Sequence, residues 1–206
     1  MIAIIDYGMG NVRSLQHAFE TLGHAVTISA DPNEIGNATH VVLPGVGAFG
    51  NAMLAIQDRN LLSVLKHLAL VEQKPILGIC LGMQLFANGS AEHGRHEGLG
   101  WLNAEIEPLQ VSNALKVPHV GWNDLQFPKD DWLFKGIRPE EANFYFVHGF
   151  HMVCRDADDV LATTDYGGSV TAVVRSRNLV AAQFHPEKSQ DNGLKFLENW
   201  VCGTAC

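Results

Sequence analysis

Short apolar runs alternate with amphipathic stretches through the first half of the chain. Residues 2–6 open with an apolar run that fits a buried strand. Gly8-Met9-Gly10-Asn11 follows as a turn, with Asn11 placed to cap the next element. Val12, Leu15, Phe19 and Leu22 recur at helical spacing, and Gly23 ends that helix. Strands are expected over 25–29 and 40–43, the latter broken by Pro44-Gly45-Val46-Gly47. Residues 48–72 read as two helical pieces with Met53, Ile56, Leu61, Leu65 and Leu68 on their apolar faces. A fourth strand is expected over 75–79 and a helix over 80–87. This alternation predicts an α/β fold, an open and mostly parallel sheet flanked by helices.

Beyond Gly100 the pattern changes. Residues 104–109, 122–127, 143–148, 160–164, 171–176 and 179–184 are short strand-like runs. Arg177-Asn178 is the turn of a hairpin between the last two. These runs add antiparallel strands to the C-terminal half, and a helix over 189–201 closes the chain. With no repeat, linker or low-complexity segment, one domain over 1–206 is expected.

Composition narrows the function. The 206 residues are 47% hydrophobic and carry a net charge of −8. An acidic chain argues against nucleic acid or an anionic membrane as partner, since both need a basic face. The N-terminal apolar run is too short for a signal segment and ends in Asp6. No run approaches the ~20 apolar residues of a membrane span. A soluble, cytoplasmic protein is expected. Cys202 and Cys206 are read as incidental thiols of a terminal segment, and Cys154 as a small core or surface thiol. His93 and His96 lie in a Gly-rich stretch with Glu92 and read as solvated loop; no metal and no cofactor is expected.

The candidate chemistry lies in two segments. Gly78-Ile79-Cys80-Leu81-Gly82 follows an apolar strand and is a small-x-nucleophile-x-small turn. Its glycines leave room beside a nucleophile held in strained backbone. A helix N-terminus there would lower the thiol pKa. Gln183-Phe184-His185-Pro186-Glu187 supplies an imidazole and a carboxylate, completing nucleophile, base and orienting acid. Val46 and Gly47, with the Leu81 N–H, are candidates for an oxyanion hole. No Gly-Lys-Ser/Thr follows, so this is not a phosphate loop. His119 reads either as a second base or as a structural hydrogen-bonder in a loop.

These motifs resemble the class I (triad) glutamine amidotransferases. The resemblance rests on Gly78 to Gln84, Asp6 to Asn11, Leu43 to Gly47, Val117 to Asn123, Tyr145 to His148 and Gln183 to Ser189. It runs from residue 2 to about residue 200. It implies a flavodoxin-like fold and the hydrolysis of L-glutamine to glutamate and ammonia. Cys80 would be the nucleophile, His185 the acid and base, and Glu187 its orienter. Gly47, Gln84, and the backbone at Gly149 and Phe150 would hold glutamine. Within the family the motifs are similar to subunits that pass ammonia to a (β/α)8 cyclase of histidine biosynthesis, as one half of a heterodimer. Asn11, Trp122, Tyr145 and Lys188 would then lie at or near the partner interface.

Gly149-Phe150 departs from the family, which usually carries Ser or Thr and then Tyr at these places. A paralogous subunit serving another acceptor, such as a surface sugar, therefore stays open. So does a free-standing cysteine hydrolase, although that leaves Gln84 and the interface-like segments unexplained.

Overall fold

The computed structural model describes all residues except 112–114, 129 and 205–206. Five strands run parallel: β1 (Ile2–Ile5), β2 (Val26–Ser29), β3 (His40–Leu43), β4 (Ile76–Ile79) and β13 (Leu179–Ala182). β12 (Ser169–Ser176) pairs antiparallel with β13, and β11 (Val160–Asp165) antiparallel with β12. The order across this sheet is β11-β12-β13-β4-β3-β1-β2. The expected hairpin is present, with Ser176 opposite Leu179 and Arg177 at a φ of 54°.

Four parallel strands are buried at every residue, so both faces of the sheet are covered. One face packs α1 (Val12–Thr21) and α6 (Gln190–Gly203), with Ile4, Val42 and Leu77 meeting Phe19, Phe196 and Trp200. The other packs α3 (Phe49–Asp58) and α4 (Leu62–Leu70), with Ile5, Val41 and Ile76 meeting Ile56, Leu65 and Leu68. Each such buried side chain stabilises the fold by about 1.5–3 kcal/mol relative to exposure.

Two smaller sheets stand beside the main one. β5 (Gly89–Ser90), β6 (His96–Glu97), β7 (Ala104–Pro108) and β10 (Phe150–Cys154) form a sheet ordered β10-β7-β5-β6. β8 (His119–Asp124) and β9 (Asn143–His148) form an antiparallel pair. The strand expected over 122–127 thus begins earlier and ends earlier. Its inward residues start at the buried His119, a polar residue that hides the alternation. Helix α2 (Pro32–Gly36), β5, β6 and β10 are additional to the sequence pattern. α2 is one short turn, capped by the Asp31 carboxylate accepting from the Asn33 N–H at 2.8 Å. β10 is separated from β9 by Gly149 alone, so the two merge into one apolar run in the sequence. Among the described residues, no helix is long and apolar enough to cross a membrane.

The C-terminal ends of β3, β4 and β13 lie side by side. A Cβ on Gly82 would sit 1.8 Å from the Leu43 carbonyl oxygen, so the turn after β4 is in backbone contact with the end of β3. Gly36 has nothing within 4 Å of a Cβ position. Gly82→Ala should therefore lower stability by on the order of 3 kcal/mol, since rigid backbone must move. Gly36→Ala should be neutral or stabilising by about 0.4–1 kcal/mol. Paired denaturant titrations check this; equal midpoints for the two variants would refute the close approach.

Candidate active site

Cys80 joins β4 to α5 (Leu81–Gln84) with φ 54° and ψ −111°. A non-glycine residue in that region costs on the order of 1–3 kcal/mol, so its surroundings must hold it there. The Cys80 N–H donates to the Ala182 carbonyl at 2.8 Å, fixing the elbow to β13. Gly78 is equally enclosed: a Cβ there would meet the Gly82 oxygen at 2.9 Å and Ala181 at 3.0 Å. α5 is shorter than the helix expected over 80–87. Phe86 and Ala87 donate to Met83 and Gln84 carbonyls, a tighter turn that leads the chain out. The helix that Cys80 opens is a single turn and carries little macrodipole. Cys80 Sγ lies 3.8 Å from the Val147 carbonyl oxygen and accepts from Gln183 Nε2 at 3.7 Å.

His185 and Glu187 follow β13 in sequence. The His185 N–H donates to the Tyr145 carbonyl at 2.9 Å, and Ser189 Oγ donates to the His185 carbonyl at 2.7 Å. These bonds set the direction of the imidazole. Its Nδ1 lies 2.8 Å from Glu187 Oε1, with side chains only 2% and 1% exposed. Nε2 is buried without a hydrogen-bond partner of good geometry. Burial pulls the imidazolium down, but the adjacent Cys80 sulfur and the Glu187 carboxylate outweigh it. Together they raise the His185 pKa from 6.5 to about 10. The ring is therefore held protonated at neutral pH, against a sulfur that can take the opposite charge.

Cys80 and His185 open onto a cavity of about 330 Å³. Val46, Gly47 and Leu81 line one side, and Gly149, Phe150 and Gln84 line another. Leu81 opens α5, where a backbone N–H has no intrahelical partner. Gly47 has φ 97°, a conformation that favours glycine. Gln84 donates from Nε2 to the Phe150 carbonyl at 3.1 Å and to Gln183 Oε1 at 2.9 Å. Both amide hydrogens are used, so Oε1 is the atom it can offer the cavity. A larger cleft of about 500 Å³ lies between α3, α4 and β6, but no Cys, Ser or Thr lines it.

Glu92 also lines the smaller cavity, and sequence reasoning passed over it as loop. Its carboxylate accepts from the Phe49 N–H at 2.6 Å, at the start of α3. Only the β5–β6 hairpin brings it there, and no spacing in the sequence signals that.

The four residues expected at a partner surface divide. Trp122 is 46% exposed and packs edge-on to Tyr145 at 6.0 Å between ring centroids. Lys188 Nζ lies 5.7 Å from the Tyr145 ring and lines the cavity rim. These three are one cluster. Asn11 opens α1, which touches the Pro186–Lys188 turn. Its side chain does not cap the helix as expected; Oδ1 accepts from Ser14 Oγ at 2.9 Å. His119 is not in a loop but in β8, 3% exposed, stacked on Phe146 and Tyr166. Cys154 is half-buried on β10, and burial raises its pKa to about 11, which keeps the thiol protonated. Cys202 is exposed, and Cys206 lies outside the described residues.

Comparison with known proteins shows the family of the chain. The family model "Glutamine amidotransferase class-I" matches residues 3–203. A protein of Sulfurimonas denitrificans named imidazole glycerol phosphate synthase subunit HisH is 46% identical over 204 residues, 98% of this chain and 97% of its own length. The protein of the same name from Aquifex aeolicus is 47% identical over 199 residues, 96% and 94% of the two chains. "Subunit HisH 2" of Methanococcus maripaludis is 42% identical over 201 residues, 98% of each. Among solved structures, PurLQS from Thermotoga maritima superposes with a TM-score of 0.75 at 21% identity, covering 98% of this chain and 97% of that one. A crystal structure of a glutamine amidotransferase gives 0.71 at 20% identity, covering 97% and 98%. Those two likenesses carry the fold alone. The match over nearly the whole chain, and the identity to HisH subunits along their full length, make this chain a member of the class I glutamine amidotransferase family.

Proposed function

We propose that this chain hydrolyses L-glutamine and delivers the ammonia to a (β/α)8 cyclase subunit of histidine biosynthesis, in the cytoplasm. Residues 1–206 act as one amidotransferase domain in this reading. The observation that carries it is the buried Cys80–His185–Glu187 constellation at the floor of a cavity of amino-acid size.

The chemistry follows from the charges. Glu187 accepts from Nδ1 and so aims Nε2 at the sulfur. The Cys80 proton resides on His185, and the thiolate attacks the side-chain amide carbon of glutamine. The oxyanion that forms is met by the Leu81 N–H and by the backbone at Val46 and Gly47. His185 gives its proton to the leaving nitrogen, and ammonia departs from a thioester on Cys80. A water molecule then attacks the thioester, His185 takes its proton, and glutamate is released with the thiol restored. Gln84 Oε1, Glu92, and the Gly149-Phe150 backbone surround the amino-acid end. No residue in this series of steps needs a metal or cofactor.

The cluster of Trp122, Tyr145 and Lys188 reaches the cavity through Lys188, which lines it. A partner docked there would cover the thiol and receive ammonia before water protonates it. Lys188 makes no ion pair among the described residues, which leaves it free for an acidic group of the partner. A second reading, delivery to a different acceptor, keeps one observation in its favour: Gly149-Phe150. A Cβ on Gly149 would meet nothing closer than 3.6 Å, so packing does not require glycine there.

Three outcomes test this. Cys80→Ala and Cys80→Ser should fold normally and lose glutamine hydrolysis. Diazo-oxo-norleucine should label Cys80 and spare Cys154 and Cys202, as peptide mapping would read. Turnover by Cys80→Ala near the wild-type rate would end the triad reading.

The His185 pKa gives a pH test. A raised imidazolium pKa means that the acid donating to ammonia is present through neutral pH and lost as pH rises through about 10. The alkaline limb of kcat/KM should therefore fall near pH 10. Glu187→Gln removes one of the interactions that raise the pKa, so the limb should move to lower pH. It should also lower kcat by roughly 10²–10⁴-fold. An unshifted limb would mean that Glu187 does not act on the imidazole.

With the cyclase encoded in the same genome, Lys188→Ala should depress glutamine-dependent synthesis well below that supported by ammonium salts. Trp122→Ala should weaken assembly by about 2 kcal/mol, as removal of a central interface aromatic does. Wild-type assembly and coupling in both variants would exclude this face as the docking site. Failure of any histidine-pathway cyclase to couple, with glutaminase activity intact, would favour the second reading.

A further inference from the structure

His119 and His148 lie opposite each other in the β8–β9 ladder, 3% and 5% exposed. Neither takes part in the chemistry above. His148 Nδ1 lies 2.8 Å from the Phe150 carbonyl oxygen. A carbonyl only accepts, so Nδ1 carries the hydrogen. Burial drives the His148 pKa down to about 4, so the ring is neutral and Nε2 holds a lone pair. His119 Nδ1 is 3.1 Å from that lone pair and must be the donor. His119 Nε2 is then the acceptor in its turn, and Asn123 Nδ2 approaches it at 3.4 Å. Asn123 Nδ2 also donates to the Asp165 carbonyl at 2.9 Å, which anchors the start of the chain. Every donor along this series points toward Phe150. The His119 ring is clamped between Phe146 at 4.9 Å and Tyr166 at 3.9 Å, both nearly parallel to it.

The receiving carbonyl belongs to the cavity wall. Phe150 O accepts from Gln84 Nε2 as well as from His148. In the β7–β10 ladder Phe150 stands opposite Pro108, and the Gly149 carbonyl takes the Leu109 N–H at 2.9 Å. That pattern makes Phe150 and Pro108 a pair without mutual hydrogen bonds, so the polar atoms of Phe150 point away from β7. Its N–H is left without a ladder partner, beside the cavity. The orientation of the Gly149-Phe150 strap is therefore set by whatever grips the Phe150 carbonyl.

We propose that His119 is a positioning residue: it fixes the Nδ1–H tautomer of His148 and through it the Phe150 strap that receives the amino-acid end of glutamine. This rests on the reading of the cavity as a glutamine site. Losing the His119 donor would free His148 to exchange tautomers, and one tautomer cannot hold the strap. The effect falls on substrate capture rather than on attack by Cys80.

The test uses the whole chain and diazo-oxo-norleucine. In uniformly ¹⁵N-labelled wild type, long-range ¹⁵N–¹H correlation should find His148 and His119 neutral with hydrogen on Nδ1. His119→Phe keeps the stack between Phe146 and Tyr166 and deletes both nitrogens. It should raise the inhibitor concentration for half-maximal Cys80 labelling about tenfold, with the maximal labelling rate within about twofold of wild type. His119→Asn restores a donor near the Nδ1 position and should recover most of the loss. Hydrogen on Nε2 of wild-type His148 would overturn the proposal, even if His119→Phe fails to fold. So would a His119→Phe variant with unchanged half-saturation. Absence of Cys80 labelling in the wild type would instead refute the glutamine reading itself.

Discussion

Parallel register between three central strands is the constraint on which the site depends. Leu43 pairs with Gly78, and Ala182 pairs with Ile79. All three strands therefore end at nearly the same level, on the edge where open α/β sheets bind ligands. The chain must then turn three times within a few ångströms. Gly82 lets one turn touch another, and the Cys80–Ala182 hydrogen bond holds the strained residue between them. A slip of one residue in β4 would point Cys80 into the opposite core. The proposed nucleophile, oxyanion backbone and acid–base pair would thus follow from a single alignment.

Burial acts on several titratable groups of this structure, but with different outcomes. Tyr7 lies beneath the turn, donating to the Pro44 carbonyl at 2.7 Å, and burial drives its pKa upward so that it remains neutral. His119, His148 and Cys154 are likewise pushed toward their neutral forms. His185 is as buried as these and yet protonated, because it alone lies between a carboxylate and a thiol. A low-dielectric interior silences isolated charges and strengthens a paired one. The same environment therefore leaves His119 and His148 neutral and His185 charged.

Much of this was legible in the sequence. Strands β1, β4 and β13 are near-continuous apolar runs, the elbow is bounded by glycines, and His185-Pro186-Glu187 is contiguous. Such features are local, and local chemistry is written in neighbouring residues. What was not legible depends on pairs distant along the chain. Glu92 reaches the cavity through a hairpin of two-residue strands, too short for periodicity to register. β8 was displaced because a buried histidine, satisfied by another histidine 29 residues away, looks polar in sequence. The helix after the elbow was overlong because its apolar residues Leu85 and Phe86 continue the pattern while the backbone has already turned.

The cavity walls belong to different sheets. The Cys80 sulfur and the His185 imidazole hang from the seven-stranded sheet, whereas Gly149 alone separates β9 of the two-stranded sheet from β10 of the four-stranded one. The strap is in effect a seam between two small panels laid over a rigid base. β9 touches both proposed reacting groups, through the Val147 carbonyl beside the Cys80 sulfur and the Tyr145 carbonyl on the His185 N–H, so a partner seated on this panel would act on access to the thiol and on the aim of the imidazole together.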